Sequence, residues 1–379
     1  MKQMRWREGL SHRGADVNTF FSSLLEQPGR SVLYIAGAGF DPRASHLALL
    51  VSQTAAKRKA ILIREDRPEP AQVLVDRAEA NEEELRHAFP DHEVIHIEVF
   101  DEDHAVVGGH RIVTEIRKRV LDENGLGGVT DVIVDMSAIS IGISFPVVGL
   151  LYKMLTDKPQ PNLHVVAATG GPEVETAIVA EHAENYQNPW GFKGKGSPGD
   201  SPVRLWIPQL ANPKKRAFTI LFEELDPTET CPVFPFPARN PRSVEILLDQ
   251  FGRELSDTWR IDTRQMLFAA EDDPLDLYRT LSRIHTSRAE VYRRASQPAE
   301  TVLSPIGSKA LAIGALLAAL EHELPVAYVE ARRFEPPSGG FKDVVDEARF
   351  VHVWVLGEVY ADATLCPASE PPSCTAPTT

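Results

Sequence analysis

Between residues 31 and 168, short apolar runs alternate with stretches of helical length, and few architectures accept that rhythm. The runs at 31–36, 59–63, 93–99, 131–135 and 163–168 are rich in Val, Ile and Leu and too short for helices, so they read as buried strands. Between them, 44–56, 70–88, 109–121 and 145–155 carry helical spacing, after an opening helix near 17–25. Strands separated by helices connect in parallel with right-handed crossovers, which predicts a doubly wound, Rossmann-like sheet.

From residue 243 the alternation resumes, with helices expected at 243–255, 275–294 and 309–321 and strands at 265–270, 300–304, 326–330 and 351–356. The stretch between the two blocks differs. It holds Gly-Lys-Gly at 194–196 and the proline-rich run 231–237, and it reads as linker and ordered loop with one strand at 217–222. The expected class is therefore α/β, two Rossmann-like units with parallel-sheet cores joined by a proline-rich middle segment. The expected divisions are 1–170, a proline- and glycine-rich linker or insertion at 171–242, a second unit at 243–360, and a disordered tail at 361–379. Segments 132–154 and 302–320 share one plan: a strand, a serine-bearing turn, then a very apolar helix.

A length of 379 residues exceeds one ordinary hydrophobic core, and 43% hydrophobic with 25% charged residues is a globular balance. The formal charge of -14 opposes duplex nucleic acid as the main partner, because phosphate contacts need clustered Lys and Arg. The start lacks an apolar signal region, and no run approaches the roughly 18 apolar residues of a membrane span, so a cytoplasmic protein is expected. Three cysteines without metal-ligand spacing and 12 histidines without an HExxH pair indicate no metal site. A protein partner stays open, and no cofactor is named.

Ligands of α/β sheets bind where strands end and helices begin. The first such loop runs Gly37, Ala38, Gly39, Phe40, Asp41, Pro42, Arg43; Pro42 replaces the third glycine of a dinucleotide loop, and Asp41 with Pro42 is also an ordinary helix start. Glu65 and Asp66 close the second strand, where an acid meets ribose hydroxyls. Asp135 and Ser137 end a central strand, with Ser140 behind them, and the competing reading is turn chemistry. The third loop, Ser304, Pro305, Ile306, Gly307, Ser308, Lys309, is the best phosphate site: a small glycine turn, a hydroxyl cap, and an ammonium where free helix amides favour an anion.

Residues 302–321, through Ile306, Gly307, Ser308 and Lys309, resemble the strand, small polar loop, Lys and apolar helix of CARF-type nucleotide-sensing domains. That resemblance implies recognition of a nucleotide signal in a prokaryotic defence system. The glycine turn, Glu65 and Asp135 loosely resemble the cofactor site of class I methyltransferases, and Gly37 to Phe40 resembles a sirtuin-like NAD-hydrolysing loop. The leading expectation is a sensor or regulatory subunit binding a nucleotide-like anion near Lys309. The alternative is an enzyme, an adenosyl-methionine-dependent methyltransferase or an NAD-directed hydrolase, working at Gly37, Gly39, Glu65 and Asp135.

Overall fold

The computed structural model describes residues 4–122, 125–156, 158–169, 178–194, 202–211, 214–337 and 349–360. The first half runs β1 (Ser11–Arg13), α1 (Ala15–Leu25), β2 (Ser31–Gly37), α2 (His46–Ser52), β3 (Lys57–Asp66), α3 (Gln72–Ala88), β4 (His92–Glu98), α4 (Gly108–Arg117), β5 (Asp131–Asp135), α5 (Ile141–Leu155) and β6 (Asn162–Ala168). The rest runs β7 (Ile178–His182), β8 (Val203–Pro208), α6 (Lys215–Leu225), β9 (Glu229–Thr230), β10 (Val233–Pro235), α7 (Ser243–Arg253), β11 (Leu267–Ala269), α8 (Pro274–Arg294), β12 (Ala299–Ser304), α9 (Lys309–His322), β13 (Ala331–Glu335) and β14 (Phe350–Leu356).

The main sheet has seven strands in the order β1-β14-β6-β5-β2-β3-β4. From β6 to β4 every pairing is parallel. This is a mostly parallel, Rossmann-like α/β sheet flanked by helices. β5 and β6 are buried at every position because helices cover both faces, which is why their sequences are continuous apolar runs rather than alternating ones. β14 enters from the far end of the chain and pairs antiparallel with both β6 and β1.

A second parallel sheet is built around β8, with β12 on one side and β9 on the other. A parallel bridge from Gln209 to Val233 extends it to β10, which pairs with β11, and a bridge from Leu303 to Val326 adds a fifth position beyond β12. Numbered along the chain, the spatial order is fifth, fourth, first, second, third. The order β6-β5-β2-β3-β4 in the main sheet is the same, so the doubly wound plan occurs twice. β5 with α5 and β12 with α9, the two segments whose sequences share a plan, occupy equivalent fourth-strand positions.

Three expectations are corrected. Residues 217–222 lie within α6, not in a strand; Ala217, Phe218, Leu221 and Leu225 are its buried face, a helical spacing hidden by β-favouring residue types. Residues 326–330 form isolated bridges rather than a strand. The strand at 351–356 completes the first sheet instead of the second. β8, at the centre of the second sheet, falls inside the stretch read as linker, and residues 361–379 lie outside the described residues.

One hydrophobic cluster runs through both units, from Leu33 and Val134 through Phe145 and Leu151 to Leu205, Leu303 and Leu317. α9 packs against α8 and against β6 of the first sheet, and its buried residues run without a break from Ala310 to Ala319. Its uniformly apolar sequence follows from being covered all round. Among the described residues no helix is long and apolar enough to cross a membrane.

Candidate functional site

The first unit's loops are tied down. A Cβ on Gly37 would stand 2.5 Å from the Ala138 carbonyl oxygen, so this glycine lets the loops after β2 and β5 touch. Asn81 donates to the carbonyls of Gly39 (2.7 Å) and Asp41 (2.9 Å), and Arg77 donates to that of Phe40 (3.0 Å). Asp41 accepts the Arg43 backbone amide at 2.9 Å and its Nε at 2.7 Å, and pairs again with Nη2. Burial works against the charged carboxyl, but the Arg43 guanidinium and its bonds hold Asp41 below the ordinary range.

Asp135 is buried and spent locally. It accepts the Tyr34 hydroxyl at 2.6 Å, the Ser137 amide at 2.9 Å and the Ser137 hydroxyl, while Ser137 Oγ accepts the Ala168 amide at 2.7 Å. Burial raises the Asp135 carboxyl despite these donors and the nearby Arg43. Ser304 is equally enclosed, its hydroxyl accepting Trp206 Nε1 at 2.9 Å. Asp66 turns away to His96, at 3.0 Å on an exposed edge.

The second unit presents cations. Ser308 caps α9 by accepting the Leu311 amide at 3.2 Å, and Gly307 beside it lies over Gln209. Lys309, the first residue of α9, reaches across the units and donates to the Ile139 carbonyl. Lys214, at the start of α6, donates to the Ile306 carbonyl at 3.0 Å. Among the described residues neither ammonium has a carboxylate in ion-pair contact. Burial, then the Arg43 guanidinium, bring both lysines down to about 8; Lys214 adds to the effect on Lys309, and Glu65 and Asp41 oppose it there. Both are half-buried, and both stand at the positive end of a helix, where a cation is unfavourable unless an anion joins it.

An acidic pole adjoins them. Glu65 accepts the Ser140 amide with one oxygen and Arg67 Nη2 with the other, each at 2.7 Å. Arg67 Nη2 also meets Glu330 at 2.9 Å, and that oxygen accepts the Ala331 amide at 3.1 Å. Burial raises the Glu330 carboxyl; Arg67 opposes this and Glu65 adds to it. One peptide separates the poles: the Ile139 carbonyl takes Lys309 while the Ser140 amide, its other end, donates to Glu65.

Of the residues singled out from sequence, Arg43, Glu65 and Lys309 therefore converge, Gly37, Gly39, Asp41, Gly307 and Ser308 shape the loops around them, and Asp135, Ser137, Ser304 and Asp66 point elsewhere. Lys214, Arg67 and Gln209 were not singled out. A signal for Lys214 existed: Asn212, Pro213, Lys214 after β8 repeats the pattern Asp41, Pro42, Arg43 after β2. Among the described residues no group of three or more His, Cys, Asp or Glu could hold a metal ion. No protein-family model matches the chain, and no curated protein matches it.

Proposed function

We propose that this protein binds a phosphate-bearing, nucleotide-like ligand in a cleft formed where the loops of its two Rossmann-like units face each other, and acts as a sensor or regulatory subunit. The observation that carries the reading is the pair Lys214 and Lys309, gathered near Arg43 at two helix starts and, among the described residues, without a carboxylate in ion-pair contact, although Glu65 and Asp41 partly offset the repulsion at Lys309. Like charges held together in a low-dielectric cleft are costly, and a phosphate between them removes the repulsion while accepting hydrogen bonds from both. The position, at the carboxyl ends of the strands where the order reverses, is where doubly wound sheets take ligands. Isothermal titration of nucleotides, AMP first, tests it. Lys309→Ala and Lys214→Ala should each weaken binding by about tenfold or more, the worth of a charged hydrogen bond of roughly 1.5–3 kcal/mol. An unchanged dissociation constant would take that lysine out of the site.

The enzyme alternative needs Gly37, Gly39, Glu65 and Asp135 to meet a ligand. Those groups are engaged with Ala138, Asn81, Arg67 with Ser140, and Tyr34 with Ser137, respectively, which weighs towards the lysine-centred reading. The CARF-like stretch points the same way, since its match falls on the Gly307 to Lys309 turn rather than on the first loop.

A further inference from the structure

The repeated strand order makes the starts of α5 and α9 equivalent places: each follows a fourth strand, each has a serine N-cap, Ser140 or Ser308, and each leaves backbone amides unmatched inside its own helix. A doubly wound protein with two such places would be expected to take two anions. They differ in what meets them. At α9 the neighbouring cations are Lys309, Lys214 and Arg43; Glu65 and Asp41 act on Lys309 through space, but among the described residues no carboxylate is hydrogen-bonded to the turn. At α5 the Ser140 amide is already bonded to Glu65 Oε1 at 2.7 Å.

Glu330 adds an independent observation. It is 3% exposed, and its Oε2 is buried beside the Tyr328 hydroxyl. That oxygen lies 2.5 Å from where a Cβ on Gly142 would stand, so it is pressed against the first turn of α5, and a side chain there would collide with it. Arg67, bonded to both carboxylates through one nitrogen, supplies the cation that a bound anion at this place would require. The α5 start thus has an anion's oxygens, an anion's cation and an anion's backbone donor, all from within the chain.

Resting on the lysine-centred reading of the cleft, we infer that the first unit's switch point is a second anion site filled by the protein's own carboxylates, Glu65 and Glu330, so that each chain takes one phosphate-bearing ligand rather than two. Glu65 and Glu330 do there what the ligand's phosphate does at Lys214 and Lys309. The asymmetry also sets direction: a ligand in the cleft turns its phosphate to the second unit and keeps anionic groups away from Glu65.

Titration calorimetry with AMP on the full chain counts the sites. The native protein should bind one AMP. The double variant Glu65→Ala with Glu330→Ala, which empties the place and frees Arg67 and the Ser140 amide, should bind two, and adding Lys309→Ala to it should remove the original site and spare the new one. Two sites in the native chain, or a single site in a double variant whose circular dichroism is native, would overturn the inference. A native chain that binds none beside a double variant that binds one would refute the role of Lys309 while supporting the filled site; no binding by either refutes both. Should the double variant not fold, Glu65→Ala alone decides, because it vacates the Ser140 amide while Arg67 stays paired with Glu330: a second, weaker AMP site supports the inference, and its absence in the folded single variant overturns it.

Discussion

Two sets of ionisable residues make the protein sensitive to pH in different ranges. Lys214 and Lys309, brought from 10.5 to about 8 by burial and by Arg43, lose their charge as pH rises through about 8. AMP affinity should fall over that range, up to about tenfold per pH unit for each lysine that must be charged, as titration calorimetry between about pH 7 and 9 would register. In the ligand-free protein the unfolded chain holds these protons more tightly than the fold between about 8 and 10.5. Raising pH through that window therefore stabilises the fold while it weakens binding. The second set is a chain of imidazoles. His12 Nδ1 meets His352 Nδ1 at 3.0 Å, His352 Nε2 meets His164 Nδ1 at 3.0 Å, and His164 Nε2 faces Asp131 at 3.4 Å, with Arg30 on the same carboxylate. Burial lowers all three, most strongly His352, where His164 and His12 add to it; Asp16 opposes the shift at His12 and Asp131 opposes it at His164. Their unfolded forms take up protons first, so stability should fall as pH drops below about 6.5, and His352→Gln should flatten that slope in urea titrations at several pH values. An identical slope in the variant would mean that His352 does not titrate in this range.

Helix starts show why some of the site could be read in the sequence and some could not. The Ser308 and Lys309 turn was legible because a strand, a cap and an apolar helix adjoin in the chain, and each carries its own local signature. Lys214 was not legible, because β8 lies in a proline-rich stretch, and α6 behind it buries Phe218 and Ile220, residue types that favour strands. Arg67 and Glu330 depend on a contact between segments more than 260 positions apart, which no local pattern encodes. Placing lysines at the first positions of α6 and α9 sets charge against the helix dipole, and the repulsion between Lys309, Lys214 and Arg43 adds to it. Lys309→Gln keeps a donor for the Ile139 carbonyl and removes the charge. It should raise the stability of the ligand-free protein by about 0.3–1 kcal/mol in urea unfolding while weakening AMP binding. A loss of stability instead would show that the bond to Ile139 outweighs the repulsion.

The two units have separate sheets but not separate interiors. Their strands were legible where parallel burial makes continuous apolar runs, as in β2, β5 and β6, and the second sheet was obscured by strands as short as β9 and β11. What no local reading could supply is how the chain closes on itself. β14, coming after the whole second unit, inserts between β6 and β1, and Trp6 Nε1 donates to the Val355 carbonyl at 2.9 Å while its backbone amide donates to the Tyr278 hydroxyl of the second unit at 3.1 Å. α9 covers part of β6, and the core is shared from Leu33 to Leu317. A fragment ending at residue 170 would therefore leave β6 as an edge buried at every position, strip β1 of its sheet neighbour β14, and uncover the apolar face of α5. Such a fragment should lack the near-ultraviolet circular dichroism of fixed side chains and should aggregate, whereas the intact chain should unfold in one transition seen alike by tryptophan fluorescence and by far-ultraviolet dichroism. A soluble fragment 1–170 with dispersed amide resonances would show instead that the first sheet closes without β14 and that the shared core joins two units able to stand alone.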